Sequence, residues 1–150
     1  MKTMTESQKN ELIKIAKSLV GKPYKYGAKP EEAPECFDCS SFIQYIFKQI
    51  KIELPRSTIL QADCGEIVKD IKSLEPGDLL FFHGTQGFYN KKFPAGIGHV
   101  ILYIGNNKTI HAASQRIKDS PQIVEDGAIE ERDLNDVVNK LKPLVVIKRN

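Results

Sequence analysis

Cys39, His99 and His111 are the residues of this 150-residue chain whose types and settings suit nucleophilic chemistry together. A thiol attacks as its thiolate, and an imidazole within hydrogen-bond reach can take the thiol proton while a third group orients the ring. Cys39 follows Asp38 at the head of DCSSFIQYIFKQI, where Cys39, Phe42, Ile43, Ile46, Phe47 and Ile50 recur at helical spacing. Asp38 is a natural N-cap, so Cys39 falls in the first turn, where unpaired amides and the helix dipole favour negative charge. That setting favours a thiolate and makes the Cys39 N–H a natural oxyanion donor. His99 is the candidate base and His111 the candidate orienter.

These side chains need elements to hold them. Leu12, Ile13, Ala16, Leu19 and Val20 predict a helix over residues 5 to 20, stopped by Gly21 and Pro23. Residues 24 to 35, with Gly27, Pro30 and Pro34, read as a loop leading to Cys39. A short helix is expected over 58 to 64, then strands at DLLFF, GHVILYIG, Thr109–Ala113 and LVVI, with a late helix over 129 to 141. Residues 83 to 98, including Phe88, Tyr89, Phe93 and Pro94, form a long loop suited to lining a cleft. Helices first and strands afterwards favour one α+β domain over residues 1 to 150, with helices packed on an antiparallel sheet.

Whether His111 shares a face with His99 depends on the turn between their strands. A three-residue turn at 106 to 108 puts His111 opposite Tyr103 and on the His99 face; a two-residue turn puts it on the other. Even in the favourable register the histidines are offset, and contact needs a bulge or a strong twist.

Composition narrows the function classes. Twenty-two Lys and Arg against 19 Asp and Glu give a net charge of +3 and a pI near 8.7, too mild to argue for nucleic acid. The longest apolar run, Val100 to Ile104, is far short of a membrane span. The first twenty residues lack the apolar core of a secretory signal, so a cytoplasmic location, or delivery by lysis, phage or a secretion system, is expected. Three cysteines cannot close a disulfide set, which fits a reducing compartment or a functional thiol.

Taken one at a time, these residues have plainer readings: a cysteine on an apolar helical face is ordinarily a small core residue, and either histidine can end a strand or sit satisfied in a core. The wider pattern points the other way. GKPYKYG at 21 to 27, FDCSSF at 37 to 42, LPRST at 54 to 58, LEPGDLLFF at 74 to 82, GHVILYIGN at 98 to 106 and IHAAS at 110 to 114 closely resemble the NlpC-type cell-wall peptidases, in that family's order. The resemblance implies a reduced papain-like fold and hydrolysis of peptidoglycan stem peptides between D-γ-glutamyl and a diamino acid such as meso-diaminopimelate or Lys. It makes Cys39 the nucleophile, His99 the general base and His111 the polar third member, with Tyr24 beside the thiol. Asp38 and Ser40 match residues that hold the free amine of an N-terminal L-Ala in some relatives. No cofactor or metal is implied, and a monomer is expected. Ser41 stands where the family usually has glycine, and Gly27-Ala28 where it usually has a glycine pair.

Cys36 and Cys39 form a C-x-x-C, but only Cys64 and three histidines remain as further soft ligands, so a packed loop cysteine is the simpler reading of Cys36. Cys64 reads as structural, His83 as a strand end, and Lys91 and Lys92 as solvated loop charges. The rival functions are acyl transfer or amide hydrolysis by the same thiol, and a binding or redox module that keeps the fold.

Overall fold

The computed structural model describes residues 3–84, 91–94, 96–118, 120–121, 124–141 and 143–150, with the side chains of 116–118 and 124–125 excepted. Thr5 caps helix α1 (Glu6–Ser18) through a capping box with Gln8, and the helix buries Leu12 and Ala16. Helix α2 (Cys39–Gln49) carries the densest apolar face, with Phe42, Ile43, Ile46 and Phe47 fully buried. A single helical turn, α3, spans Thr58–Gln61. The strands are β1 (Glu66–Ile67), β2 (Leu79–Phe82), β3 (His99–Gly105), β4 (Lys108–Lys118), β5 (Val124–Asp133) and β6 (Leu144–Arg149), with helix α4 (Leu134–Leu141) between the last two.

They form one antiparallel sheet in the order β1-β6-β2-β3-β4-β5. Side-chain alternation divides the core in two. Leu79, Phe81, Val100, Leu102, Ile110 and Ala112 meet α1 and α2 on one face; Leu80, Phe82, Ile101, Tyr103 and Ile147 meet Leu134 and Val137 of α4 on the other. The α+β architecture is the one expected.

Several elements differ from expectation: α3 ends at Gln61, short of residue 64; β1 is an unexpected strand; β4 runs on to Lys118, past Ala113; and the late helix starts later. Residues 129 to 133, read as the start of the late helix, belong to β5, which pairs with β4 from Lys118↔Val124 to Lys108↔Asp133. The segment VEDGAIEERD has little apolar alternation and several helix formers, so its strand state comes from pairing with β4, not from propensity. Gly127 permits that pairing, since a Cβ there would sit 2.0 Å from the Ala113 carbonyl oxygen. Its own carbonyl accepts from the Tyr24 N–H at 2.9 Å, which ties the loop before α2 to the sheet. The expected loop at 83 to 98 falls partly on residues 85–90 and 95, outside those described, as do Phe88 and Tyr89.

Candidate active site

Asp38 starts α2 as the sequence predicts. Its Oδ1 accepts from the Ser41 N–H at 2.9 Å, and the Ser41 hydroxyl accepts in return from the Asp38 N–H at 2.9 Å. Ser41, which replaces the glycine usual in the resembled family, is therefore spent on the helix start and is buried there. Upstream, Phe37 bridges Tyr24, so the Tyr24 backbone runs alongside the chain two residues before the thiol.

The other face of the Asp38 carboxylate belongs to a residue that pattern reading missed. Arg56 reaches Asp38 Oδ2 at 2.7 Å, the Ser40 hydroxyl at 2.7 Å and the Ala28 carbonyl at 2.5 Å. One guanidinium fork thus joins three sequence motifs. The available signal was the Arg in LPRST, but a single cation cannot be assigned a partner from sequence until a buried carboxylate is known to face it. Arg56→Leu is expected to lower stability by about 2 kcal/mol in urea unfolding, less than for a fully buried pair because the guanidinium is partly solvated. Asp38→Asn added to that variant should recover part of the loss; no loss at all would show that the pair carries no stability.

The thiol sits where the sheet opens. The β3–β4 ladder runs from Gly105↔Lys108 to Leu102↔Ile110. Beyond that end, the backbone N–H of Val100, together with that of Ser40, supports negative charge on the Cys39 sulfur. Burial and then the Asp38 carboxylate outweigh both donors and push the thiol up to about 12. The helix-start setting alone favours a thiolate; here dehydration and the capping carboxylate win, so the proton rests on sulfur.

His99 and His111 are in contact, His99 Nε2 to His111 Nδ1 at 2.8 Å, with rings edge to face. The turn that joins their strands explains why. Asn106 and Asn107 both have positive φ, 53° and 58°, as a two-residue type I′ turn requires. By itself that turn would put His111 on the wrong face. Ile104 is an extra residue on β3, between the pairs Tyr103↔Thr109 and Gly105↔Lys108, and this bulge moves the register by one. His111 then falls beside Ile101 and on the face of His99. Burial drives His99 down to about 3, with His111 adding to the effect. Burial also lowers His111 to about 4, assisted by the Arg132 and Lys140 charges. At neutral pH the site therefore holds a neutral thiol and two neutral imidazoles.

The remaining predicted residues lie apart from this chemistry, except His83, which lines the same cavity as His99 and His111. Cys36 is half-buried beside Glu32, with Sγ 3.7 Å from the carboxylate, and Cys64 is half-buried with its thiol near the Leu60 carbonyl. All three cysteines are free thiols. Lys92 pairs with Asp63 at 2.5 Å, and Lys91 is exposed. His83 directly follows β2, with its Nδ1 buried. Among the described residues, no group of three or more His, Cys, Asp and Glu could hold a metal ion, and no helix is long and apolar enough to cross a membrane.

Comparison with known proteins places these features in a family setting. The sequence pattern described as the NlpC/P60 family matches residues 21–135. The chain is 39% identical over 107 residues to the gamma-DL-glutamyl hydrolase of Bacillus subtilis (strain 168), across 70% of this chain and 24% of that protein. It is 34% identical over 115 residues to the gamma-D-glutamyl-L-lysine dipeptidyl-peptidase of Bacillus cereus (strain ATCC 10987), across 77% of this chain and 31% of that one. The crystal structure of an NlpC/P60 family protein from Bacillus cereus ATCC 10987 matches with a TM-score of 0.70 at 27% identity, covering 99% of this chain and 41% of that chain. The chain thus spans less than a third of the length of these two curated relatives.

Proposed function

The chain belongs to the NlpC/P60 family, and on that premise we propose that it is a cysteine peptidase of peptidoglycan stem peptides, acting between D-γ-glutamyl and a diamino acid, meso-diaminopimelate or Lys. The observation that carries this reading is the His99–His111 contact beside Val100, whose N–H supports the Cys39 sulfur. The γ-glutamyl bond is favoured by the two curated relatives, both of whose names specify hydrolysis of a γ-glutamyl linkage.

In this mechanism the Cys39 proton passes to His99 as the sulfur attacks the glutamyl carbonyl carbon. His99 Nε2 is engaged by His111, so Nδ1 is the nitrogen left to receive it. The oxyanion gains the Cys39 N–H, which precedes the first intrahelical bond, from Phe42 N–H to the Asp38 carbonyl. Collapse of the intermediate breaks the C–N bond, and the leaving amine takes the proton from His99. A water then gives a proton to His99 and attacks the thioester; the γ-carboxyl product leaves and the proton returns to sulfur. Because burial raises the thiol, the resting Cys39 holds its proton until it is passed to His99.

Tyr24, Asp38 and Ser40 form the substrate-holding side in this reading. A substrate amine competes there with Arg56, which already bridges Asp38 and Ser40. The chain acts as one domain and as a monomer in this reading. Digestion of defined muropeptides followed by mass spectrometry tests the proposal: the expected products end in D-γ-glutamate and begin with the free diamino acid. Intact muropeptides after prolonged incubation with folded protein would overturn it.

A further inference from the structure

We propose that Glu130 is a positioning residue for the histidine pair: its carboxylate, set against the second ring nitrogen of His111, selects the tautomer that leaves His99 able to accept a proton. The inference deepens the peptidase reading and rests on it for its kinetic consequence, though its structural half needs no substrate.

A neutral imidazole has one N–H, so the contact between His99 Nε2 and His111 Nδ1 can be made in two ways. If His111 Nδ1 carries the proton, it donates to His99 Nε2. The proton of His99 then lies on Nδ1, the nitrogen that must receive the thiol proton, and the base is blocked. If His99 Nε2 carries the proton, it donates to His111 Nδ1, His99 Nδ1 keeps its lone pair, and the proton of His111 lies on Nε2. Only the second arrangement serves a general base.

The surroundings of His111 distinguish these arrangements. His111 is 5% exposed, and its Nε2 is buried with no hydrogen-bond partner in reach. Glu130 is its cross-strand partner in the β4–β5 ladder, with a carboxylate oxygen 3.6 Å from that nitrogen. At this distance the carboxylate attracts an N–H and repels a lone pair, so it favours the proton on Nε2. Arg132 holds the same oxygen at 2.8 Å, which fixes the carboxylate in place. Behind the pair lies a cavity of about 270 Å³, lined by His99, His111, Glu130, Arg132, Asp136 and Lys140 among others. Arg132 and Lys140 disfavour a proton beyond the first on His111. His111 thus stays neutral while Glu130 orients its single N–H.

The test combines spectroscopy with kinetics. Two-bond ¹H–¹⁵N correlation spectra of the imidazole-labelled protein at neutral pH should show His111 protonated on Nε2 and His99 on Nε2. Glu130→Ala should erode that preference and lower kcat about 10-fold, with KM changed by less than about twofold. Glu130→Gln, whose amide oxygen keeps a partial negative charge toward Nε2–H, should recover part of both. The proposal is overturned if wild-type His111 carries its proton on Nδ1, or if Glu130→Ala keeps the wild-type tautomer whatever its activity. If the tautomers behave as expected and the wild type cleaves no muropeptide, the positioning role stands and the peptidase reading fails.

Discussion

Cys39→Ala is expected to reduce muropeptide cleavage by roughly 10⁴-fold or more, because no other group in the site can form the acyl-enzyme and the residual rate comes only from binding and the oxyanion donor. The fold should survive. Cys39 is a half-buried member of the core rim, and trimming its sulfur costs on the order of 1 kcal/mol. Mass spectrometry of digests and a thermal melt of the same preparation separate the two effects. Full activity in the variant would remove Cys39 from the mechanism. Cys39→Ser is a stricter control: it keeps the shape and the hydrogen bonds, and should also fail, because a neutral hydroxyl is a far poorer nucleophile in the same site.

His99→Ala is expected to cost about 10²- to 10⁴-fold in kcat/KM, the span typical of losing a general base. The pH dependence gives a second reading of the same residue. In the free enzyme His99 is lowered from 6.5 to about 3, so it remains an available base well below the range where an ordinary imidazole is protonated. The acid limb of kcat/KM should therefore lie below 6.5, and a limb centred at 6.5 would show that the ring is not dehydrated as the structure has it. Stability follows the same shift with a definite sign. Between the folded values of about 3 and 4 and the unfolded value of 6.5, the unfolded chain binds more protons at His99 and His111. Their contribution is complete above 6.5 and is lost as pH falls toward the folded values, so the thermal midpoint should decline across that window. Measuring both curves distinguishes loss of the base from loss of the fold.

Much of this protein is written in local sequence. The capping box at Asp38 and Ser41, the apolar face of α2 and the place of Cys39 in its first turn depend on residues within a few positions of one another. The strand segments that carry His99 and His111 are also visible locally, as apolar runs between turn residues, although β4 extends past that run to Lys118. The family resemblance rests on the same short motifs. Tertiary structure decided the remainder. Strand β5 exists because β4 lies beside it, and Glu130 faces His111 only through that pairing. Arg56 joins Asp38, Ser40 and Ala28 from a distant part of the chain. The histidine contact depends on the Ile104 bulge, since a one-residue change of register exchanges the faces of every side chain that follows. The protonation states of the site go beyond sequence for a related reason. A helix start favours the thiolate locally, whereas dehydration is set by everything packed around the sulfur and the rings, and it holds Cys39 and both histidines neutral.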